Sequence, residues 1–138
     1  MTDKEVLNAY ERTGGVLKGH FLLTSGRHSD TYMQSAKLFV HPEESAKIAA
    51  ALAEKLASYK PDMVVSPAVG GIILGYELAR ALGVTDIFAE RENGEMTFRR
   101  GFELAPGSRV VVAEDVVTTG GSVKEVIALC RAHGAEGV

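Results

Sequence analysis

Apolar residues along this chain follow two habits, recurrence at helical spacing and short unbroken runs, and the alternation between them predicts the elements. Val6, Leu7 and Tyr10 share one face of a helix over residues 3–13 that Gly14-Gly15 stops. Residues 16–40 carry two strand-like runs, Phe21-Leu22-Leu23 and Thr31-Tyr32-Met33, around turn-forming residues 24–30. Pro42 opens a helix whose stripe is Ile48, Ala49, Leu52, Ala53 and Leu56, and which ends before Pro61. A short strand at Met63-Val64-Val65 then meets a tight loop, Pro67 to Gly71, and a helix from Ile72 to Leu82 capped by Gly83. Asp86–Ala89 and Thr97–Phe102 read as strands flanking a polar loop, Glu90–Met96, with Asn93-Gly94 as a hairpin signal. Val110-Val111-Val112 marks a buried strand over Arg109–Ala113. Ser122 opens a last helix to Ala132, with Glu125 in capping-box spacing, Gly134 closing it, and Val123, Val126, Ile127 and Cys130 as its buried stripe.

Strands separated by helices predict an α/β fold with a mostly parallel, twisted sheet and right-handed crossovers. The 138 residues suit a single domain, and 46% hydrophobic content is enough for a core without staples. A net charge of −3 gives no reason to expect nucleic acid or an anionic membrane as a partner. The polar N-terminus lacks a signal peptide's apolar core, and no apolar run has the length of a membrane span, so a cytoplasmic protein is expected. Cys130 is the sole cysteine and, on an apolar stripe, reads as a structural thiol. Four scattered histidines suggest no metal cage. The chain stops at Gly137-Val138 where a βαβ unit would enter its next strand, and a C-terminal truncation is expected on that ground.

The chemistry concentrates where the Val110–Val112 run ends in two adjacent carboxylates, Glu114 and Asp115, followed by Val116-Val117-Thr118-Thr119-Gly120-Gly121-Ser122 and a helix. Ligands of open α/β sheets bind at the carboxyl ends of strands. Free N–H groups and the dipole at a helix start favour phosphate, and Gly120 and Gly121 allow close backbone approach. Two acids would repel a bare phosphate but accept hydrogen bonds from a vicinal diol, so a sugar phosphate fits both halves. The same residues are also compatible with an ordinary strand-end turn and helix cap. Neither a P-loop nor a dinucleotide fingerprint is present.

Glu114 to Ser122, behind its apolar strand, resembles the phosphoribosyl-diphosphate motif of type I phosphoribosyltransferases. Thr24-Ser25-Gly26-Arg27-His28-Ser29-Asp30-Thr31-Tyr32 resembles the N-terminal orotate-side segment of the orotate phosphoribosyltransferases, and the likeness runs along nearly all of the chain. The resemblance implies that fold, with a small N-terminal hood and a flexible β-hairpin loop. It implies that Glu114 and Asp115 hold the ribose hydroxyls of 5-phosphoribosyl 1-diphosphate (PRPP), and that Val116, Val117, Thr118, Thr119, Gly120, Gly121 and Ser122 wrap its 5-phosphate. Thr118 would also contact orotate, together with Ser25, Gly26 and Arg27. Ala68, Val69 and Gly70 would lie beside the diphosphate, with backbone amides standing in for a Lys that some relatives carry where Gly70 or Gly71 stands here. Residues 90–100 would form a mobile catalytic loop reaching the site of a partner in a homodimer, and Arg91, ahead of Arg99 and Arg100, is the candidate diphosphate contact. Asp115 and Arg91 are thus the expected catalytic residues.

The reaction so implied joins orotate to ribose C1 and releases diphosphate, with Mg2+ brought by the substrate and no ligand set from protein alone. Thr24 stands where many relatives have a Lys, and the family's second orotate-contacting Arg would lie past Val138. Two other functions stay open on sequence: transfer to a purine or uracil, and a non-catalytic PRPP-sensing regulator of the same fold. The Ser-Gly-Arg-His-Ser run opposes the first, and the absence of a basic patch opposes the second.

Overall fold

The structure is a computed structural model that describes residues 1–22, 28–115 and 121–137, with the backbone alone described over 17–22 and 28–33. The elements in order are α1 (Asp3–Arg12), β1 (Val16–Leu22), β2 (His28–Met33), α2 (Ser35–Phe39), α3 (Pro42–Leu56), β3 (Met63–Pro67), α4 (Ile72–Leu82), β4 (Thr85–Glu92), β5 (Glu95–Phe98), β6 (Arg109–Val112), α5 (Gly121–Ala132) and β7 (Glu136–Gly137). Five strands form one sheet in the order β5-β4-β3-β6-β7, parallel except for β5 at one edge. Hairpin β1–β2 is a separate antiparallel pair. The α/β class with a mostly parallel sheet is as the patterning predicts. None of the described helices is long and apolar enough to cross a membrane.

Alternation along β3 divides the core. Val64 points to one face, where it packs with Ala53, Leu78, Ala79 and Val111 under α3 and α4. Val65 points to the other, where it packs with Ile87, Ala89, Val110, Val126 and Cys130 under α5. A third cluster of Ala9, Tyr10, Leu38, Phe39 and Leu74 fastens α1 and α2 to α4. The Cys130 thiol is buried, as expected, and burial pushes its pKa up to about 11, so it stays unreactive at neutral pH.

Several boundaries differ from the sequence expectation. The polar segment 90–96 is no loop: β4 runs on to Glu92, β5 starts at Glu95, and Glu92 pairs with Glu95 across Asn93 (φ 53) and Gly94 (φ 82). Two consecutive positive φ values make this the tight hairpin that an Asn-Gly pair favours. Beyond the Pro67–Ala89 pairing β4 has no partner in β3, so the hairpin projects past that strand as a two-stranded ribbon. The predicted strand 97–102 ends at Phe98, because Arg100 (φ 61) and Gly101 (φ 72) turn the chain. Helix α2 was not expected, and the next strand past α5 is present as the two-residue β7 beside β6. Ser122 lies inside α5 rather than at its cap, and Glu125 turns its carboxylate to Arg91 instead of back to the helix start.

One polar pair sits uneasily under α4. The Ser66 hydroxyl and Asp86 Oδ1 are buried without a hydrogen-bond partner among the described residues, and both lie against the Gly75 backbone. Burial lifts the Asp86 pKa to about 6. A folded pKa above the ordinary carboxylate value means stability lost as pH rises through about 6. Asp86→Asn, neutral and similar in shape, is therefore expected to raise unfolding stability at about pH 8 by ~1 kcal/mol, discounted for the group's half-exposed position. The gain should shrink toward about pH 5, where Asp86 is already protonated. Urea melts at both values check this; a variant less stable at both would mean the carboxylate serves a contact that an amide cannot replace.

Candidate functional site

The carboxyl ends of β3 and β6 lie side by side, and the loops leaving them meet. The Ala113 N–H donates to Val65 O (3.0 Å), and the Ala68 N–H donates to Ala89 O (2.7 Å), so the loop after β3 is pinned from both sides. This loop runs through a cis Ala68–Val69 peptide to Gly70 and Gly71. A Cβ on Gly70 would stand 2.9 Å from both carboxylate oxygens of Asp115. A Cβ on Gly71 would stand 2.9 Å from Pro67 O and 3.1 Å from Ala113 O. Both separations are too short for a side chain, so the two glycines are what let the loop approach the acid-bearing strand end. The expected neighbours Ala68, Val69 and Gly70 on one side and Glu114 and Asp115 on the other are thus brought together, 45 residues apart in sequence.

Within the acid pair, the Asp115 N–H donates to Glu114 Oε1 (3.0 Å). Burial, reinforced by the Asp115 carboxylate beside it, pushes the Glu114 pKa up to about 7. From below, the buried Ser35 hydroxyl donates to Asp115 O (3.5 Å) and lies 2.7 Å from the Tyr10 hydroxyl. No sequence signal pointed to Ser35, and Tyr10 was legible only as part of the apolar face of α1; they lie 80 and 105 positions from Asp115.

Arg91 stands on the projecting ribbon and reaches α5, its guanidinium donating to both carboxylate oxygens of Glu125 (2.8 and 3.1 Å) and to Gly94 O (3.0 Å). These bonds hold Glu125 below the usual carboxylate range. Arg91 is therefore an ion-paired clamp between hairpin and helix here, not a group turned to the acid pair. Arg100 pairs with Glu90 (2.8 and 3.0 Å) and stacks over Phe88, and Arg99 lies 3.6 Å from Glu92. Gly121 and Ser122 open α5. Residues Val116, Val117, Thr118, Thr119 and Gly120, and the orotate-side residues Ser25, Gly26 and Arg27, lie outside the described residues. Among the described residues no cluster of His, Cys, Asp and Glu has the makings of a metal cage.

In comparisons with known proteins, residues 34–138 match the family model for the phosphoribosyl transferase domain. The chain is 56% identical over 136 residues to the orotate phosphoribosyltransferase of Caldanaerobacter subterraneus subsp. tengcongensis, covering 99% of this chain and 72% of that one. It is 53% identical over 132 residues to the orotate phosphoribosyltransferase of Thermotoga maritima, covering 96% and 69%. Among solved structures, Leishmania donovani UMP synthase is similar with a TM-score of 0.85 and 27% identity, over all of this chain and 30% of that one. The orotate phosphoribosyltransferase of Aeropyrum pernix is similar with a TM-score of 0.74 and 27% identity, over 96% of this chain and 76% of that one.

Proposed function

Since the chain belongs to the orotate phosphoribosyltransferase family, we infer that it transfers the phosphoribosyl group of PRPP to orotate, giving orotidine 5'-phosphate and diphosphate. It is a pentosyl-transferring enzyme of pyrimidine biosynthesis. The observation that carries the site assignment is the contact of the Asp115 carboxylate with the bare backbone of Gly70 at the carboxyl end of the sheet. That contact sets a hydrogen-bond acceptor for ribose hydroxyls against a loop of amides able to face diphosphate.

Breaking the C1–O bond leaves an oxocarbenium-like ribose and gathers negative charge on the departing diphosphate. In this reading Glu114 and Asp115 accept the ribose 2- and 3-hydroxyls and hold the sugar, while residues 116–122 hold the 5-phosphate at the start of α5. The amides of Ala68, Val69 and Gly70 face the diphosphate, and Ser25, Gly26, Arg27 and Thr118 orient orotate. Arg91 completes the diphosphate site only on leaving Glu125, so hairpin motion and ion-pair exchange are one step. Mg2+ bound to the donor supplies further charge neutralisation on the leaving group. An acid pair beside a side-chain-free glycine suits an oxygen-seeking, hydrated ion of this kind. The catalysis is electrostatic and needs no nucleophilic side chain.

Incubating the protein with PRPP, Mg2+ and orotate, then separately with uracil and each purine, tests the assignment. Orotidine 5'-phosphate and diphosphate should form together; turnover with a purine alone sinks it.

The raised Glu114 pKa gives the reading a pH signature. Glu114 keeps its proton in the free protein between about 4.5 and about 7, and stability is lost as pH rises through the upper value. Hydrogen bonds donated by the ribose hydroxyls are stronger to the ionised form and favour it, so PRPP binding should expel a proton at about pH 6.5 and strengthen severalfold toward about pH 8. Calorimetry in buffers of differing ionisation enthalpy reads the released proton, and Glu114→Gln should abolish the release. Proton uptake on binding would put Glu114 in another role.

A cytoplasmic homodimer completes the proposal. Val69, Ile73 and Tyr76, at 83%, 49% and 63% exposure, follow one another at helical spacing from the loop onto α4 and offer an apolar face to a second copy. Tyr76→Glu should weaken self-association at least about tenfold in sedimentation equilibrium. A wild-type monomer at high concentration contradicts the dimer.

A further inference from the structure

The Tyr10 hydroxyl and Ser35 Oγ are 2.7 Å apart in the core, with Ser35 only 2% exposed and Tyr10 9%. Tyr10 lies among Ala9, Leu38, Phe39 and Leu74, a packing that its ring alone satisfies. Tyr10 adds two polar contacts, one through its backbone carbonyl and one through its hydroxyl. On one side, the Gly15 N–H donates to Tyr10 O (2.7 Å) and the Gln34 N–H donates to Gly15 O (2.7 Å), closing the base of the β1–β2 hairpin where Val16 pairs with Met33. Gly15 packs so tightly there that a Cβ would stand 2.9 Å from the Tyr10 ring. On the other side, Ser35, next along the chain from Gln34, donates to Asp115 O. A short run of bonds thus joins the root of the hairpin to the backbone that carries the acid pair.

We propose that Tyr10 and Ser35 are positioning residues that tie the root of the β1–β2 hairpin to the backbone of Asp115. On the function proposed above, the segment between these strands (Ser25, Gly26, Arg27) orients orotate, and Asp115 holds the ribose. The hydroxyl pair then fixes the root of the strands that carry the base-side segment relative to the acid that holds the ribose. Neither residue touches a substrate. Both act through the backbone at each end of the run.

Steady-state kinetics with both substrates varied test this on the whole protein. Tyr10→Phe keeps the ring and removes one oxygen, and is expected to raise KM for orotate about fivefold while KM for PRPP stays within about twofold. Ser35→Ala also frees the Asp115 carbonyl, and should raise both KM values about fivefold or more. Ser35→Thr retains a hydroxyl and should bring both back toward the wild-type values. A purely structural pair would lower the melting temperature and the active fraction, hence apparent kcat, and leave both KM values unmoved; that result overturns the proposal. Wild-type protein that fails to turn over orotate at all overturns the underlying function as well, a pattern distinct from active variants with unchanged KM.

Discussion

Asp115→Ala is expected to lower kcat/KM by about 100-fold or more while the melting temperature moves by no more than ~2 °C. The kinetic expectation follows from what a carboxylate does opposite a diol. A hydrogen bond to an ionised acceptor contributes roughly 1.5–3 kcal/mol, and each ~1.4 kcal/mol is a factor of ten in rate. The ribose carries growing positive charge as C1–O breaks, so an anion fixed beside it gains more in the transition state than in the ground state, and kcat should fall along with kcat/KM. The stability expectation rests on where the residue sits. Asp115 is half-buried just past a strand end, and the apolar contacts there are made by Val110 and Val111 of β6 and by Ala113 after it rather than by the acids. Asp115→Asn, which keeps the shape and removes the charge, separates the two contributions. It should recover part of the binding and little of kcat. A full set of wild-type constants in Asp115→Ala would mean that the ribose lies elsewhere.

The sequence displays this acid pair plainly because its elements are contiguous: a β-branched strand, two carboxylates, hydroxyls, glycines and a helix follow in one stretch. Helix α4 was equally legible, from Ile72 to Leu82 with Gly83 in the left-handed region (φ 73), since its stripe and its stop are both local signals. The hairpin was half legible. Asn93-Gly94 announced the turn, but Glu90, Arg91 and Glu92 looked like loop because a ribbon projecting from a sheet buries no regular face. Its order comes from cross-strand pairing and from ion pairs that charge alone does not locate. Helix α2 was missed because five residues are too few for a period to show, and Leu38 and Phe39 are held by α1 and α4. The same limit governs the site. The acids were readable, whereas their approach to Gly70, the support from Ser35 and the clamp of Arg91 on Glu125 are contacts between distant segments. They exist only once parallel strands set those segments side by side.

Gly70→Ala is expected to cost about 30-fold or more in kcat/KM with melting temperature unchanged or slightly raised. The added Cβ would lie 2.9 Å from both Asp115 oxygens, closer than carbon and oxygen tolerate. The obstructing atoms are the far end of a side chain rather than backbone, so the Asp115 carboxylate is displaced while the fold gives little. Gly70 is not among the residues with positive φ, so alanine adds no backbone strain and removes freedom from the unfolded chain, which by itself stabilises by roughly 0.4–1 kcal/mol. The neighbouring Gly71→Ala supplies the contrast. Its Cβ would strike Pro67 O and Ala113 O, both backbone atoms of packed strand ends, so that change should destabilise by ~2 kcal/mol or more and lower the yield of folded enzyme. The decisive form is a double-mutant cycle. If Gly70→Ala acts by displacing Asp115, then adding it to Asp115→Ala should bring almost no further loss, since the two changes remove the same interaction. Losses that multiply instead would show that the glycine serves the diphosphate directly, through its own amide, and that its contact with the acid is incidental to catalysis.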